Sequence, residues 1–320
     1  MRFIRSALLA LSLAAGAAAH ADYPDRPITA IVPFPAGQST DILARELTMR
    51  LSKVLNQSIV IENRSGAGGI IGISAAKRAP NDGYTMLIAS SGPLAINENL
   101  YKDIPYHSLE DFEPVAMILE NPQFLVTRAD FPANTLPELI EVLKQSPGKY
   151  NYGSGGVGLT NHLTMEMLRL RTGASIKHVP YRGAQAALSG LLGGDTDLMF
   201  ESGPPIIPFL EAGKLKVLAV GSSKGSARFP QVKSVAAQGL EGFDATTWMA
   251  LMVPKGTPRE IIDRLNQATN HVLAQADIQK QFASVTASVR IATPQETGQF
   301  IAGELALWKG IIDEGGIKPE

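Results

Sequence analysis

An α/β fold with two doubly wound lobes is what this sequence predicts, and three observations predict it. Short apolar runs alternate with helical stripes along most of the chain. The connections between them are short and rich in Gly and Pro, as 30 Gly and 21 Pro in 320 residues allow. The alternation then closes on one apolar run and two long amphipathic segments, too little material for a third domain. With 45% hydrophobic and 18% charged residues the chain has ample core for one large domain or two.

The elements follow in order. Met1 to Ala21 reads as an export signal: Arg2 and Arg5 form a basic start, Ala7 to Ala18 is apolar but too short to span a bilayer, and Ala19-His20-Ala21 fits a small-x-small cleavage rule. Cleavage after Ala21 would start the mature chain at Asp22. Ile28–Phe34 is a buried strand, and Leu43, Leu47, Leu51 and Leu55 then mark a helix from Asp41. Ser58–Asn63, Tyr84–Ser90 and Phe112–Glu120 are strands, with a helix at Gly69–Arg78. After Phe124–Arg128 the rhythm repeats: helix Leu136–Gln145, strand Tyr150–Gly153, helix Leu159–Arg171, strand Ser175–Tyr181, helix Gly183–Leu192, strands Asp197–Glu201 and Leu215–Val220. Thr246–Pro254 is a strand, and Pro258–Ala276 and Thr293–Gly315 are amphipathic helices that return to cover the first sheet. The expected lobes are residues 22–123 with 244–320, and residues 124–243, with crossovers near Asn121–Gln123 and Glu241–Ala245. The sheets are expected to be parallel, and no internal repeat is visible.

Composition excludes several chemistries. A net charge of −1 without a basic block argues against nucleic acid. The absence of Cys removes disulfides, thiolate metal sites, cysteine nucleophiles and a lipidated N-terminal Cys. His107, His162, His178 and His271 have no ligand spacing, so no metal is expected. Gly153, Gly155 and Gly158 form a GxGxxG, but the stretch where a dinucleotide site wants an acid reads Thr172-Gly173-Ala174, so no cofactor is expected either. Gly221–Gly225 matches GxSxG, yet Ser226-Ala227-Arg228-Phe229-Pro230 opens no helix, which a nucleophile elbow requires. Ser74–Lys77 is an SxxK without its companion motifs.

What remains is a set of turns that leave strands and enter helices, where free N–H groups and the helix dipole attract anions. They are Pro33–Asp41, Ser65–Gly72, Ser90–Pro93, Gly153–Thr160 and Tyr181–Ala184. Asp197 reads as one carboxylate lining the cleft, and Arg45, one turn after Asp41, as its ion-pair partner.

Several motifs in order, among them YPDRPITAIVPFPAGQSTDILAR, VIENRSGAGGIIG, PGKYNYGSGGVGLTNHL and HVPYRGAQAAL, resemble the substrate-binding component of tripartite tricarboxylate transporters, the Bug family of periplasmic binding proteins. The resemblance runs from Tyr23 to about Ile317. It implies a two-lobed type II periplasmic binding fold that closes on a small carboxylate, a periplasmic location, and a membrane partner of one large and one small integral subunit. By position it implies ligand contacts from Phe34, Ala36, Gln38, Ser39, Asp41, Ser90 and Ser91 in the first lobe. From the second it implies Ser154, Gly155, Gly156, Thr160, Tyr181, Arg182, Gly183, Asp197 and Glu201. Gln38 stands where the family usually has a second glycine; it either tunes specificity or points to solvent. A monomer without enzymatic activity is expected. The alternatives are a ligand sensor, or a hydrolase using Ser223 or His162. The carboxylate is expected to be held by N–H groups, hydroxyls and water, with Gly155 leaving room for its approach.

Overall fold

A computed structural model describes residues 23–319; the expected signal and its cleavage site lie outside the described residues. Two mixed sheets form the two lobes. The first sheet has strand order β11-β4-β10-β3-β1-β2, with β1 at Ile28–Val32, β2 at Ile59–Asn63, β3 at Thr85–Ser90, β4 at Phe112–Pro122, β10 at Thr246–Pro254 and β11 at Ser288–Val289. The second has order β7-β6-β8-β5-β9, with β5 at Phe124–Arg128, β6 at Asn151–Ser154, β7 at Lys177–Pro180, β8 at Leu198–Glu201 and β9 at Leu215–Val220.

The expectation of parallel sheets is corrected. β10 runs antiparallel to both β3 and β4, and β5 runs antiparallel to both β8 and β9. Each lobe therefore contains one strand that has just crossed from the other. The last apolar run, β10, sits inside the first sheet between β4 and β3. The two sheets nonetheless resemble each other in three dimensions. Both sheets share one plan, in which three parallel strands are followed by an antiparallel strand and a further strand. No residue-level repeat accompanies it, because each sheet needs apolar faces rather than particular side chains.

The helices sort onto these sheets by their apolar stripes. Helix α1 (Ser39–Leu55) buries Ala44, Leu47, Leu51 and Leu55. Beside it, α8 (Arg259–Leu273) buries Ile262, Leu265 and Val272 in the same core as Ile28, Val32, Met86 and Leu251. Short helices α2 (Ile70–Lys77) and α3 (Asn97–Leu100) follow β2 and β3, the latter through a π-type turn at Gly92–Ile96. In the second lobe α4 (Leu136–Gln145), α5 (Thr160–Thr172), α6 (Ala184–Gly193) and α7 (Gly203–Glu211) cover the sheet. The segment read as one helix to Ala276 breaks into α8 and α9 (Ala276–Ser284), with Ala274 and Gln275 between them. α10 (Pro294–Gly315) starts on a capping box, in which the Thr293 hydroxyl accepts from Glu296 N–H and the Glu296 carboxylate from Thr293 N–H.

The chain crosses between sheets at Gln123 and Ala245, and Gly221 at the end of β9 laces the crossing together. Gly221 N–H donates to Gln123 O at 2.6 Å, and Ala245 N–H donates to Gly221 O at 3.1 Å. A Cβ on Gly221 would stand 2.9 Å from both Ala245 O and Gln123 O, so only glycine fits there. Side chains repeat the link: Gln123 Nε2 donates to Thr247 Oγ1 at 2.9 Å.

Candidate functional site

A cavity of about 340 Å³ opens between the lobes. Its walls come from the start of α1 (Ser39, Thr40, Ile42, Leu43), the end of β3 (Ser90), the crossing strands (Leu119, Asn121, Thr247, Met249), Val285, and the turn into α7 (Ser202, Pro204, Pro205). This is where doubly wound sheets place ligands, beyond the carboxyl ends of parallel strands. A larger hollow of about 800 Å³ lies between α3 and the end of α10, but its lining comes from the first lobe alone and, of the anion-binding turns, includes only Ile70 of Ser65–Gly72.

The first-lobe wall is built to offer donors. Gln38 is the N-cap of α1 in extended conformation, and its side chain makes no capping bond. The first intrahelical bond is Ile42 N–H to Gln38 O, so the N–H groups of Ser39 and Thr40 stay unclaimed at the positive end of a 17-residue helix. Ser90, only 8% exposed, lines the same cavity, and its hydroxyl has no partner among the described residues. Ser91 is fully buried with an unpartnered Oγ, and it lies outside the cavity wall.

Asp41 faces elsewhere. Its carboxylate accepts from Gly37 N–H at 2.8 Å, Asn63 Nδ2 at 2.8 Å and Arg45 Nε at 2.9 Å. Burial would raise this carboxyl, but the hydrogen bonds from Arg45, Gly37 and Asn63 prevail and hold it at about 2. Asn63 also donates to Phe34 O, so Asp41, Asn63 and Arg45 shape the loop that carries Phe34, Ala36 and Gln38. Asp41 is thus a positioning residue, contrary to its reading as a contact. Ala36 and Gln38 are exposed, and Phe34 packs its ring against the α1–α8 core.

The second-lobe turns have spent their donors internally. Gly155 N–H points to Asn161 Oδ1, Gly156 N–H to Ser154 Oγ, and Gly158 N–H to His162 Nδ1. Ser154 is fully buried, its Oγ 2.6 Å from His178 Nε2. Beneath the loop Tyr152, His178 and His162 stack, the two imidazoles with centroids 4.0 Å apart. Burial, then the neighbouring His178, pushes His162 down to about 4, which keeps it a neutral acceptor for Gly158. The expectation that Gly155 leaves room for ligand is corrected: a Cβ there would meet Ala184 N at 2.7 Å and Gly183 C at 3.0 Å, so it is the neighbouring turn that requires glycine. Tyr181 is likewise turned inward, its OH against Gly190. Arg182 is exposed, with no ion pair among the described residues, and Thr160 is the first residue of α5.

Asp197 does not line the cleft. Its Oδ2 accepts from Asn151 N–H at 2.9 Å, at the beginning of β6 and β8, whereas Ser154 and Glu201 end those strands. Asp197 and Glu201 are four residues apart, neighbours on a helix but about 13 Å apart along a strand. Glu201 is buried, which raises its carboxyl; it accepts from Ser202 N–H at 2.8 Å and Ser202 Oγ at 2.9 Å. Ser223 bonds Asp244 through both N–H and Oγ, and among the described residues no histidine is bonded to it. Asn121, Thr247, Ser202 and the prolines of α7 were not singled out in the sequence. Asn121 stood in the crossover expected near Asn121–Gln123, and that was the available signal.

The chain matches the tripartite tricarboxylate transporter family receptor model over residues 43–317. It is 42% identical to the protein BugT of Bordetella pertussis over 92% of this chain and 91% of that one. Among solved structures, a Rhodopseudomonas palustris protein determined with adipate superposes with TM-score 0.80 at 33% identity, covering 93% of this chain and 100% of that one. MatC from the same organism, with bound malate, gives 0.74 at 30% identity over 91% and 100%.

Proposed function

The chain belongs to the tripartite tricarboxylate transporter receptor family, and from that premise we propose that it is a periplasmic receptor that captures a small organic acid between its lobes for uptake through integral-membrane subunits. Exported after cleavage following Ala21, it works as a monomer of two lobes, residues 22–123 with 244–320 and residues 124–243. It binds its ligand without transforming it. One observation carries the reading: the interlobe cavity has unclaimed N–H groups and hydroxyls at Ser39, Thr40 and Ser90 and no catalytic pair on its walls. Ser154, which contacts His178, is itself fully buried, and that contact ties down a loop. Relatives solved with adipate and malate support a carboxylate as the ligand class.

A thermal-shift screen tests this. A carboxylate at ~100 times its Kd adds about 2.7 kcal/mol of stability, so at least one small acid should raise Tm by several degrees while its uncharged amide does not. A screen in which amides and acids act alike would refute the proposal. N-terminal sequencing of the periplasmic protein should begin at Asp22.

A further inference from the structure

The unclaimed donors of the first-lobe wall lie together at one end of the interlobe cavity. On the first-lobe wall the N–H groups of Ser39 and Thr40 and the hydroxyl of Ser90 are free among the described residues. The opposite wall is Ser202-Gly203-Pro204-Pro205, the start of α7. A helix start normally offers four N–H groups. Here Pro204 and Pro205 have none, which leaves the first turn with Gly203 N–H in place of a full set. The Ser202 hydroxyl is turned away as well, donating to Glu201 Oε1 at 2.9 Å. The Glu201 carboxyl itself sits buried directly behind that wall. Between the two ends the lining is mostly apolar, with Leu43, Leu119, Met249 and Val285 beside the polar Asn121 and Thr247, and no Lys, Arg or His takes part.

Building on the receptor reading above, we infer that the ligand is a monocarboxylate with an apolar body, its carboxylate at the Ser39–Thr40–Ser90 end and its apolar end against Pro204 and Pro205. A second carboxylate at the far end would lose its water where two prolines and the engaged Ser202 have cut the donors a helix start normally offers, and the Glu201 carboxyl lies behind that wall. An aliphatic or aromatic tail there loses nothing and gains contact with two proline rings. The cavity, near the lower end of the ~300–1,000 Å³ typical of ligand sites, suits a small acid of this kind.

Matched pairs test the inference by titration calorimetry: hexanoate against adipate, and 4-methylbenzoate against terephthalate. Within a pair, only the far carboxylate differs. The monoacid of at least one pair should bind roughly tenfold or more tightly than its diacid, the scale of one charged group left without partners. A diacid that binds as tightly as or more tightly than its monoacid in both pairs overturns the inference and leaves the receptor reading intact. If no acid binds in these pairs or in the wider screen, both fall. The P204A/P205A double variant returns two N–H groups to the start of α7, in a residue type that helices accept. Its preference for the monoacid should shrink by roughly three- to fivefold; an unchanged preference counts against the proline wall and overturns the inference.

Discussion

Ser39 and Ser90 present hydroxyls to the same cavity from different elements, and neither is needed to hold the fold. Ser39→Ala and Ser90→Ala are each expected to weaken ligand binding by roughly tenfold while leaving the Tm of the unliganded protein within a degree or two; calorimetry and a thermal melt read the two effects separately. Arg45 acts oppositely. Half-exposed, it supports the Asp41 carboxylate that holds the Phe34–Gln38 loop. Arg45→Ala should lower stability more than affinity. Gly155 belongs with the structural positions too: with 2.7 Å between its imagined Cβ and Ala184 N, Gly155→Val should lower Tm before it lowers affinity.

At the scale of elements, α10 is tied to the crossing strand β10 by a single carboxyl. Glu304 Oε2 accepts from Trp248 Nε1 at 2.7 Å and from Trp308 Nε1 at 3.0 Å, and these are the chain's only two tryptophans. Burial pushes this carboxyl from its ordinary 4.5 up to about 7, with the charges of Asp244 and Glu120 adding to the rise. The folded protein therefore holds the proton over a range where the unfolded chain has lost it. Stability from this group is present at low pH and is lost as pH rises from 4.5 through 7. His162 works with opposite sign. Its folded value is depressed to about 4, so its contribution is present above 6.5 and lost as pH falls through 4. The two slopes oppose each other where their windows overlap. Glu304→Gln keeps an oxygen that both indoles can reach and removes one slope. Urea unfolding followed by tryptophan fluorescence should find the variant close to wild type at pH 5 and more stable at pH 8. Equal stability at both pH values would show that Glu304 titrates normally.

Across the whole molecule the lobes meet through side chains seated on glycines. Leu100 of the first lobe lies where a side chain on Gly158 of the second would be, 2.1 Å from its imagined Cβ, and Thr286 occupies the space beside Gly203 at 2.2 Å. Thr286 has φ +62, in the left-handed region, and donates to Asn121 Oδ1 at the crossing. Gly203→Ala should hold the lobes apart at this seat. Affinity is expected to fall by roughly tenfold, with recovery in the Gly203→Ala, Thr286→Gly pair, where the obstructing side chain is gone and the left-handed φ is relieved. Small-angle scattering should show a saturating acid compacting the wild type and failing to compact the single variant. Identical profiles with and without ligand in the wild type would count against closure.

The sequence by itself determined the α/β class, the succession of nearly every element, and the family to which it belongs. These follow from local facts: the period of apolar residues, the Gly and Pro between them, and motifs read in order. Strand direction was not legible, because β5 and β10 are apolar runs whether they run parallel or antiparallel, and only their pairing with β8, β9, β3 and β4 decides it. In the site, Ser39 and Ser90 were legible as residues that leave strands or enter helices. The roles of Asp41, Gly155 and Asp197 were not, since each depends on which partner arrives from far along the chain: Asn63, Ala184 and Asn151. The tertiary structure alone set two serines against two prolines across one cavity, because that distance is fixed by how the lobes meet and by no spacing along the chain.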